Sequence, residues 1–549
     1  MRRRLLLVLS LLVFLSAGLI LATLGGDAAR AAGRVPQARI PTLPALPIGA
    51  PTSAGPTPVA TGTITAPIAS PSPVPSTVIP VPASIPLTRI STDPLTVSTP
   101  GISSMLGQHA SEVEPSVYSA GGTTVATFQV GRLYDGGSMA VGWAASLDGG
   151  KSWRHGLLPR LTKSQIPAGP FDRLSDAVVA YDARHHTWLI SSIAVTDRQG
   201  HVAAGAVVVS RSGDGVTWSG SYTVAATPAR GFYDKDWITC DDTPTSPYDG
   251  HCYAQWDNSG RHDVLLMSAS RDGGKTWSLP IAPAGHPYGL GGQPVVRPDG
   301  TVVVPALGER DAILAYSSRD GGVTWNAAVI VSFQRDHTVA GRLRTEPLPS
   351  AAIDGGGTVY VAWQDCRFEA RCAANDIVLS SSPDGVAWSP PARAPIDPAG
   401  SGADHFIPGL GVDKSTQGAR ARLALAYYDY PVASCLPTTC QLYAGFISSD
   451  DGGTTWSAPR RLAGPMPLSI LPRTSLGAMV GDYIATAFSG DDAIPVLAVA
   501  TPSHIPGGPL DEAIYAARIP LGARNGVGLR LKAQGGTGAR GRIGTAIER

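Results

Sequence analysis

Several stretches of this 549-residue chain bring arginines, acids and tyrosines close enough to act on one ligand. "RLRTEPLP" carries Arg342, Arg344 and Glu346, "WQDCRF" carries Asp365 and Arg367, and "YYDYP" carries Tyr428, Asp429 and Tyr430. Arg173 lies shortly before Asp176, and Arg473 precedes a later apolar segment. A guanidinium can hold a carboxylate through two parallel hydrogen bonds, and a tyrosine becomes a nucleophile once a base takes its proton. Asp176, Arg173, Arg344, Glu346, Arg367, Tyr430 and Arg473 are therefore the candidates for catalysis on an anionic ligand. The competing reading makes them charges of surface loops and of disulfide-closed loops.

A second constellation is more regular. Glu114, Asp176, Asp234 with Asp236, Gln293 and Asp482 each stand at the start of a short apolar strand, as in "EPSVYS", "DAVVAYD", "KDWITCD" and "QPVVRP". Trp237 and Tyr483 are interleaved with them. Acids gathered from several strand starts suit a cation such as calcium or the hydroxyls of a sugar, and the aromatic rings suit sugar faces. Capping of strand ends and hydrogen bonding between neighbours is the plainer alternative. No motif for an organic cofactor is present, so none is expected.

The elements that must position these residues are set by a repeat. "SLDGGKSW", "SGDGVTW", "SRDGGKTW", "SRDGGVTW", "SPDGVAW" and "SDDGGTTW" follow one another at intervals of roughly 60 residues. Asp148, Asp214, Asp272, Asp320, Asp384 and Asp451 occupy equivalent places, and each copy closes on Trp. Asp accepts hydrogen bonds from amides a few residues on, Gly supplies positive φ, and Trp buries a large ring. These aspartates are structural, in hairpin turns. Alternating strands such as "AILAYSS" and "DIVLSSS" run into each turn, others such as "TVYVAWQD" precede them, and a further strand follows each Trp. Four antiparallel strands per repeat make one propeller blade. A last copy lacks the turn motif but keeps three strands within 480–519, and Pro94–Thr99, or else Val527–Ala533, is the expected donor of its fourth. The fold expected is all-β: a β-propeller of seven blades, with six as the alternative.

Composition agrees. Gly (64) and Pro (48) are abundant, as short strands with many turns require. Lys plus Arg (43) nearly cancels Asp plus Glu (42), leaving no basic field for nucleic acid. Arg2, Arg3 and Arg4 precede an uncharged apolar run over Leu5–Leu24. That run is long enough to span a hydrocarbon core, and a small-residue cleavage site at Ala29 and Ala31 leaves a signal peptide equally open. The expected organisation is a signal or anchor helix over 1–33, a Pro/Ala/Ser/Thr-rich disordered linker over 34–91, the propeller over 92–521 and a Gly/Arg-rich disordered tail over 522–549. The chain is thus expected outside the cytoplasm, secreted or anchored. Its partners would be an extracellular glycan or protein, and the membrane if the helix is retained, with the propeller itself a monomer. The cysteines support that compartment: Cys240 with Cys252, Cys366 with Cys372 and Cys435 with Cys440 form local couples suited to disulfides.

The six turn motifs resemble the Asp-box of the bacterial neuraminidase repeat, so the chain is similar to the sialidase-like propellers over 92–521. That resemblance implies either a non-catalytic surface module binding a glycan or protein, or an exo-acting glycoside hydrolase of sialidase type. The family's enzymes use three arginines on the substrate carboxylate, a Tyr–Glu pair as nucleophile and an Asp as acid/base, with an Arg-Ile-Pro ahead of the first blade. Here Arg-Ile-Pro occurs at Arg39, in the linker, and at Arg518, ending the last repeat, and neither is in that place. The expected reading is therefore the binding module.

Overall fold

The computed structural model describes residues 84–95, 107–198, 201–227, 231–503 and 510–522. The apolar run at 5–24, the linker up to residue 83, the second candidate closing strand at 527–533 and the tail from residue 523 lie outside the described residues. Among the described residues no helix is long and apolar enough to cross a membrane. The regular structure is almost all β, interrupted by 3-10 turns of three residues.

The strands pair as successive antiparallel groups, one per sequence repeat. The first comprises Gly107–Ala120, Thr123–Leu133, Ser138–Ser146 and Arg154–Leu157, and the second Arg173–Asp182, Thr187–Arg198, His201–Ser212 and Ser221–Ala226. The third has Tyr233–Cys240, Cys252–Asn258 and Val264–Ser270, with a bridge from Met267 to Ile281 after the turn tryptophan. Val295–Val296, Val302–Gly308, Ala312–Ser318 and Val329–Phe333 form the fourth, and Ser350–Ile353, Val359–Asp365, Asp376–Ser382 and Ala392–Arg393 the fifth. The sixth is Asp404–Val412, Leu423–Tyr430, Gln441–Ser449 and Arg460–Pro467. The last is Ala485–Ser489, Asp492–Ala500 and Glu512–Ala516.

Second strands such as Val359–Asp365 are buried along their whole length. A strand covered on both faces loses the polar–apolar alternation of a half-exposed one, which is why these segments read as continuous Val/Ala/Trp runs. The apolar clusters lie between consecutive groups. One joins Val178, Leu189 and Val207 of the second group to Ile238 and Trp256 of the third. Another joins Val303 and Ile313 of the fourth to Val361 and Trp363 of the fifth. The largest joins Phe446 and Tyr428 of the sixth group, Ile494 and Leu497 of the last, and Phe128 and Val130 of the first. Packing thus runs around and returns to its start.

The last group is completed by the chain's other end, though not by the strand expected. Thr88–Arg89 pairs with Tyr515 and Ala516, and the Ile90 amide donates to the Ile514 carbonyl at 2.8 Å. Of Pro94–Thr99, the described residues Pro94 and Leu95 belong to no strand. The physical reason is burial: Ile85 and Ile90 are the side chains that enter the shared core, and Asp93 then turns the chain by accepting the Leu95 amide at 2.9 Å.

The six aspartate turns share one geometry. Asp272 accepts the Lys275 and Thr276 amides at 3.0 Å each and the Thr276 hydroxyl at 2.6 Å, while the Ser270 hydroxyl donates to it at 3.0 Å. In the shorter copies the bonds move one residue closer, so Asp384 accepts the Val386 and Ala387 amides at 2.8 Å and lacks a threonine hydroxyl. Hydrogen bonds from Ser152 and Thr455 hold the carboxyls of Asp148 and Asp451 below the usual range. All three expected disulfides are formed: Cys240–Cys252 across the first two strands of the third group, and Cys366–Cys372 and Cys435–Cys440 within loops. They suit an extracellular protein.

Candidate functional site

The first strands of four groups share an irregularity of register. It falls between Val113 and Ser116, Ser175 and Val178, Asp234 and Trp237, and Phe406 and Gly409. In each, the residue entering it is left-handed: Glu114 (φ 56°), Asp176 (φ 52°), Lys235 (φ 52°) and Ile407 (φ 51°). Such a conformation costs a non-glycine residue on the order of 1–3 kcal/mol, and a bulge re-aims the side chain it carries. Three of the four re-aimed side chains are ionisable, and they converge.

Asp482, just before the first strand of the last group, is the hub. One of its carboxylate oxygens accepts Nε of Arg344 at 2.8 Å, and the other accepts Nη2 of Arg344 and Nζ of Lys235. Nζ of Lys235 also stands 3.7 Å from Asp176. Glu114 accepts the Gln129 amide group and, at 3.3 Å, the Asp482 backbone amide. Arg132 is buried behind them, donating to Gln129 Oε1 at 3.5 Å and to the Gly137 carbonyl. The Tyr483 hydroxyl donates to the Ala177 carbonyl at 3.4 Å, and its ring meets Trp237 edge-on at 5.4 Å. Groups distant in sequence therefore meet at one centre.

Burial opposes charge on Lys235 and Arg344, but Asp482 and the neighbouring acids outweigh it and push both groups up. The same two cations overcome burial at Asp482 and hold its carboxyl well below the ordinary range. The remaining acids go the other way. Burial, then the Asp482 charge, pushes Glu114 up to about 7, and burial beside Asp176 pushes Asp234 up to about 7. Burial also raises Asp236, Asp257 and Glu346. The centre thus holds satisfied cations and an excess of carboxyls whose charge is disfavoured.

The opposite ends of the same strands are bolted together. The Tyr118 hydroxyl donates to Asp242, and Nζ of Lys414 donates to both Asp242 oxygens at 2.9 Å and to Tyr118 at 3.2 Å. This joins the first, third and sixth groups across the centre.

Of the sequence candidates, Glu114, Asp176, Asp234, Asp236, Trp237, Arg344, Glu346, Asp482 and Tyr483 are brought to this centre. Gln293 is committed elsewhere, its Oε1 accepting the Ala351 amide at 2.8 Å and tying the fourth group to the fifth. Arg173 is held by Asp197 and Asp135. Arg367 forks onto Asp365 and donates to the Phe333 carbonyl. Arg473 is exposed, in a two-residue strand paired with Gly477–Ala478. Tyr430 lies in the core, 1% exposed, edge-on to Phe406 at 5.2 Å, and burial raises its phenol. Arg173, Arg367 and Tyr430 are thus each engaged by partners of their own, and the Arg473 segment lies beside the loop that holds Arg173, the Ser475 amide donating to the Tyr134 carbonyl at 2.9 Å. Lys235 and Arg132 were missed by sequence. Lys235 could have been found, since it occupies in "KDWITC" the place of Glu114 and Asp176, whereas Arg132, next to the end of its strand, carries no such signal.

No family model matches the chain, and no curated protein matches it. Several of the solved structures to which it is similar are sialidases. The intramolecular trans-sialidase of Ruminococcus gnavus, in complex with oseltamivir carboxylate, is 12% identical over 75% of this chain and 95% of its own, with a TM-score of 0.38. The NanB sialidase of Streptococcus pneumoniae is 13% identical over 82% of this chain and 72% of its own, with a TM-score of 0.39. A protein of unknown function from Dyadobacter fermentans is 16% identical over 68% of this chain and all of its own, with a TM-score of 0.41.

Proposed function

We propose that the chain is an extracytoplasmic, sialidase-like propeller of seven blades whose centre binds a glycan without cleaving it. The observation that carries this reading is the commitment of Arg344 and Lys235 to Asp482. A sialic acid carboxylate needs guanidinium groups with free donor faces, and here it would have to displace a buried carboxylate already bound in fork geometry. Glu114, Asp176, Asp234, Asp236 and Glu346 add further negative or proton-sharing groups, which repel an anion and suit sugar hydroxyls. Trp237 is half-buried and supplies a ring for a sugar face. The seven blades correspond to the strand groups, with Thr88–Arg89 as the closing strand of the last. Binding of the exported protein to an immobilised glycan panel tests this. The expected outcome is retention of neutral or amino sugars, reduced about tenfold or more by Trp237→Ala when assayed well below that variant's melting temperature. Retention unaffected by that substitution would remove the centre from consideration.

One observation favours the second reading, an exo-acting glycoside hydrolase of sialidase type. Glu114 and Asp234 are pushed up to about 7, the range in which a carboxyl serves as general acid at neutral pH. Turnover of a glycoside that disappears in both Glu114→Gln and Asp234→Asn would support it.

A further inference from the structure

We propose that Asp376, Asp397 and His405 form a binding site for a divalent transition-metal ion of the zinc type, at the junction of the fifth and sixth strand groups. This site is separate from the centre and does not rest on the glycan reading. Asp376 opens the third strand of the fifth group, Asp397 lies in the loop after Ala392–Arg393, and His405 is the second residue of the first strand of the sixth. Each offers a ligating atom within 4.8 Å of the other two. His405 Nε2 and Asp397 Oδ2 are 4.0 Å apart. Ligands bound at about 2.0–2.2 Å around a tetrahedral zinc ion stand about 3.4 Å apart, so the His405–Asp397 pair need close by only about 0.6 Å, and the others by at most about 1.4 Å, to complete the set.

The hydrogen bonding leaves Asp376 Oδ2 and the His405 ring nitrogens unspent. Nε of Arg393 donates to Asp376 Oδ1 at 2.6 Å, and its Nη2 donates to Asp397 Oδ1. One guanidinium thus takes Oδ1 of both carboxylates and leaves Oδ2 of both. Asp376 Oδ2 is buried with no hydrogen-bond partner, in a residue 2% exposed. Asp397 Oδ2 accepts only the Ser401 hydroxyl. Neither ring nitrogen of His405 has a hydrogen-bond partner; its Nδ1 is fully buried, in a residue 2% exposed. A neutral imidazole carries one lone pair, and here nothing donates to it. Unpartnered buried polar atoms cost about 1–3 kcal/mol each, and buried charges are normally paired or bound to metal.

The donor types select the ion. One imidazole with two carboxylates suits zinc and its neighbours, whereas calcium takes oxygen ligands alone. Arg393 and Ser401 grip the carboxylates from outside, as partners that orient metal ligands do. Beside the site lies a cavity of about 260 Å³ lined by Asp397, Ser401, His405, Tyr427, Asp429 and Arg461, which gives the ion an entry path and room for bound water.

The test is calorimetric titration of the exported, chelator-stripped, disulfide-intact protein with zinc chloride, paralleled by cobalt(II) absorption. The expected result is one site whose affinity falls about a hundredfold in His405→Gln and Asp397→Asn. Ser401→Ala, on the exposed loop, should lower it on the order of tenfold while leaving the fold unchanged. Asp234→Asn, at the centre, should leave it as in wild type. Absence of zinc binding in wild type, or affinity that survives Ser401→Ala and His405→Gln alike, would overturn the proposal. So would affinity lost with Asp234→Asn instead.

Discussion

Asp482 is the residue on which the centre depends. It satisfies Arg344 and Lys235 together, and Asp482 and Lys235 are themselves buried while Arg344 is half-buried. Removing one partner of a buried ionic group leaves an uncompensated charge, at a cost of about 3–5 kcal/mol. Asp482→Ala should therefore lower stability by that amount in chemical denaturation, far more than Asp135→Ala, whose carboxylate is exposed on Arg173. Equal effects from the two substitutions would show that the hub is not buried in solution. Glu114, Asp176 and Asp482 were legible because each opens a short apolar run in the sequence. Lys235 was passed over for its acidic neighbours because the bulge shifts the side-chain alternation by one, and period-two reading then assigns the wrong face. Tyr430 misled for a related reason. "YYDYP" looks like a polar loop, yet it is a strand covered on both faces, and Tyr430 pairs with Asp404 inside the core.

At the scale of elements, the turns and the closing strand do different work. The four bonds onto Asp272 fix a hairpin remote from the centre, so Asp272→Ala should cost on the order of 1–2 kcal/mol and leave glycan retention unchanged. A variant that melts like wild type but no longer binds would contradict this. The six turns were legible because their chemistry is local. The closing strand was not, because a two-residue pairing carries no periodicity and its choice rests on Ile85 and Ile90 finding the shared core. Behind it the Ser91 hydroxyl donates to Glu112 and accepts the Ile514 amide at 2.8 Å. Burial, against that hydrogen bond, pushes Glu112 up to about 7 from an ordinary value of 4.5. The native state therefore holds the proton more tightly than the unfolded chain. The stability this gives is complete below about pH 4.5 and is lost as pH rises through about 7, amounting to about 3 kcal/mol. Glu112→Gln keeps a neutral, hydrogen-bonding group there and should flatten the decline in melting temperature between pH 5 and 8. A decline as steep as in wild type would assign it to other acids.

For the whole molecule, return of the packing to its start lets first strands from distant parts of the sequence meet at one centre. Trp237 reaches Tyr483, Lys235 reaches Asp482, and Lys414 reaches Tyr118 only in that arrangement. Whether that centre cleaves a sialoside is decided by whether its cations are free. The measurement is the hydrolysis of a fluorogenic sialoside by the exported protein, beside Tyr483→Phe. No turnover by either is expected, since the Asp482 carboxylate already takes the Nε–Nη2 fork of Arg344 and a bond from Lys235. Turnover by the wild type that Tyr483→Phe abolishes would contradict it and establish a covalent glycosidase.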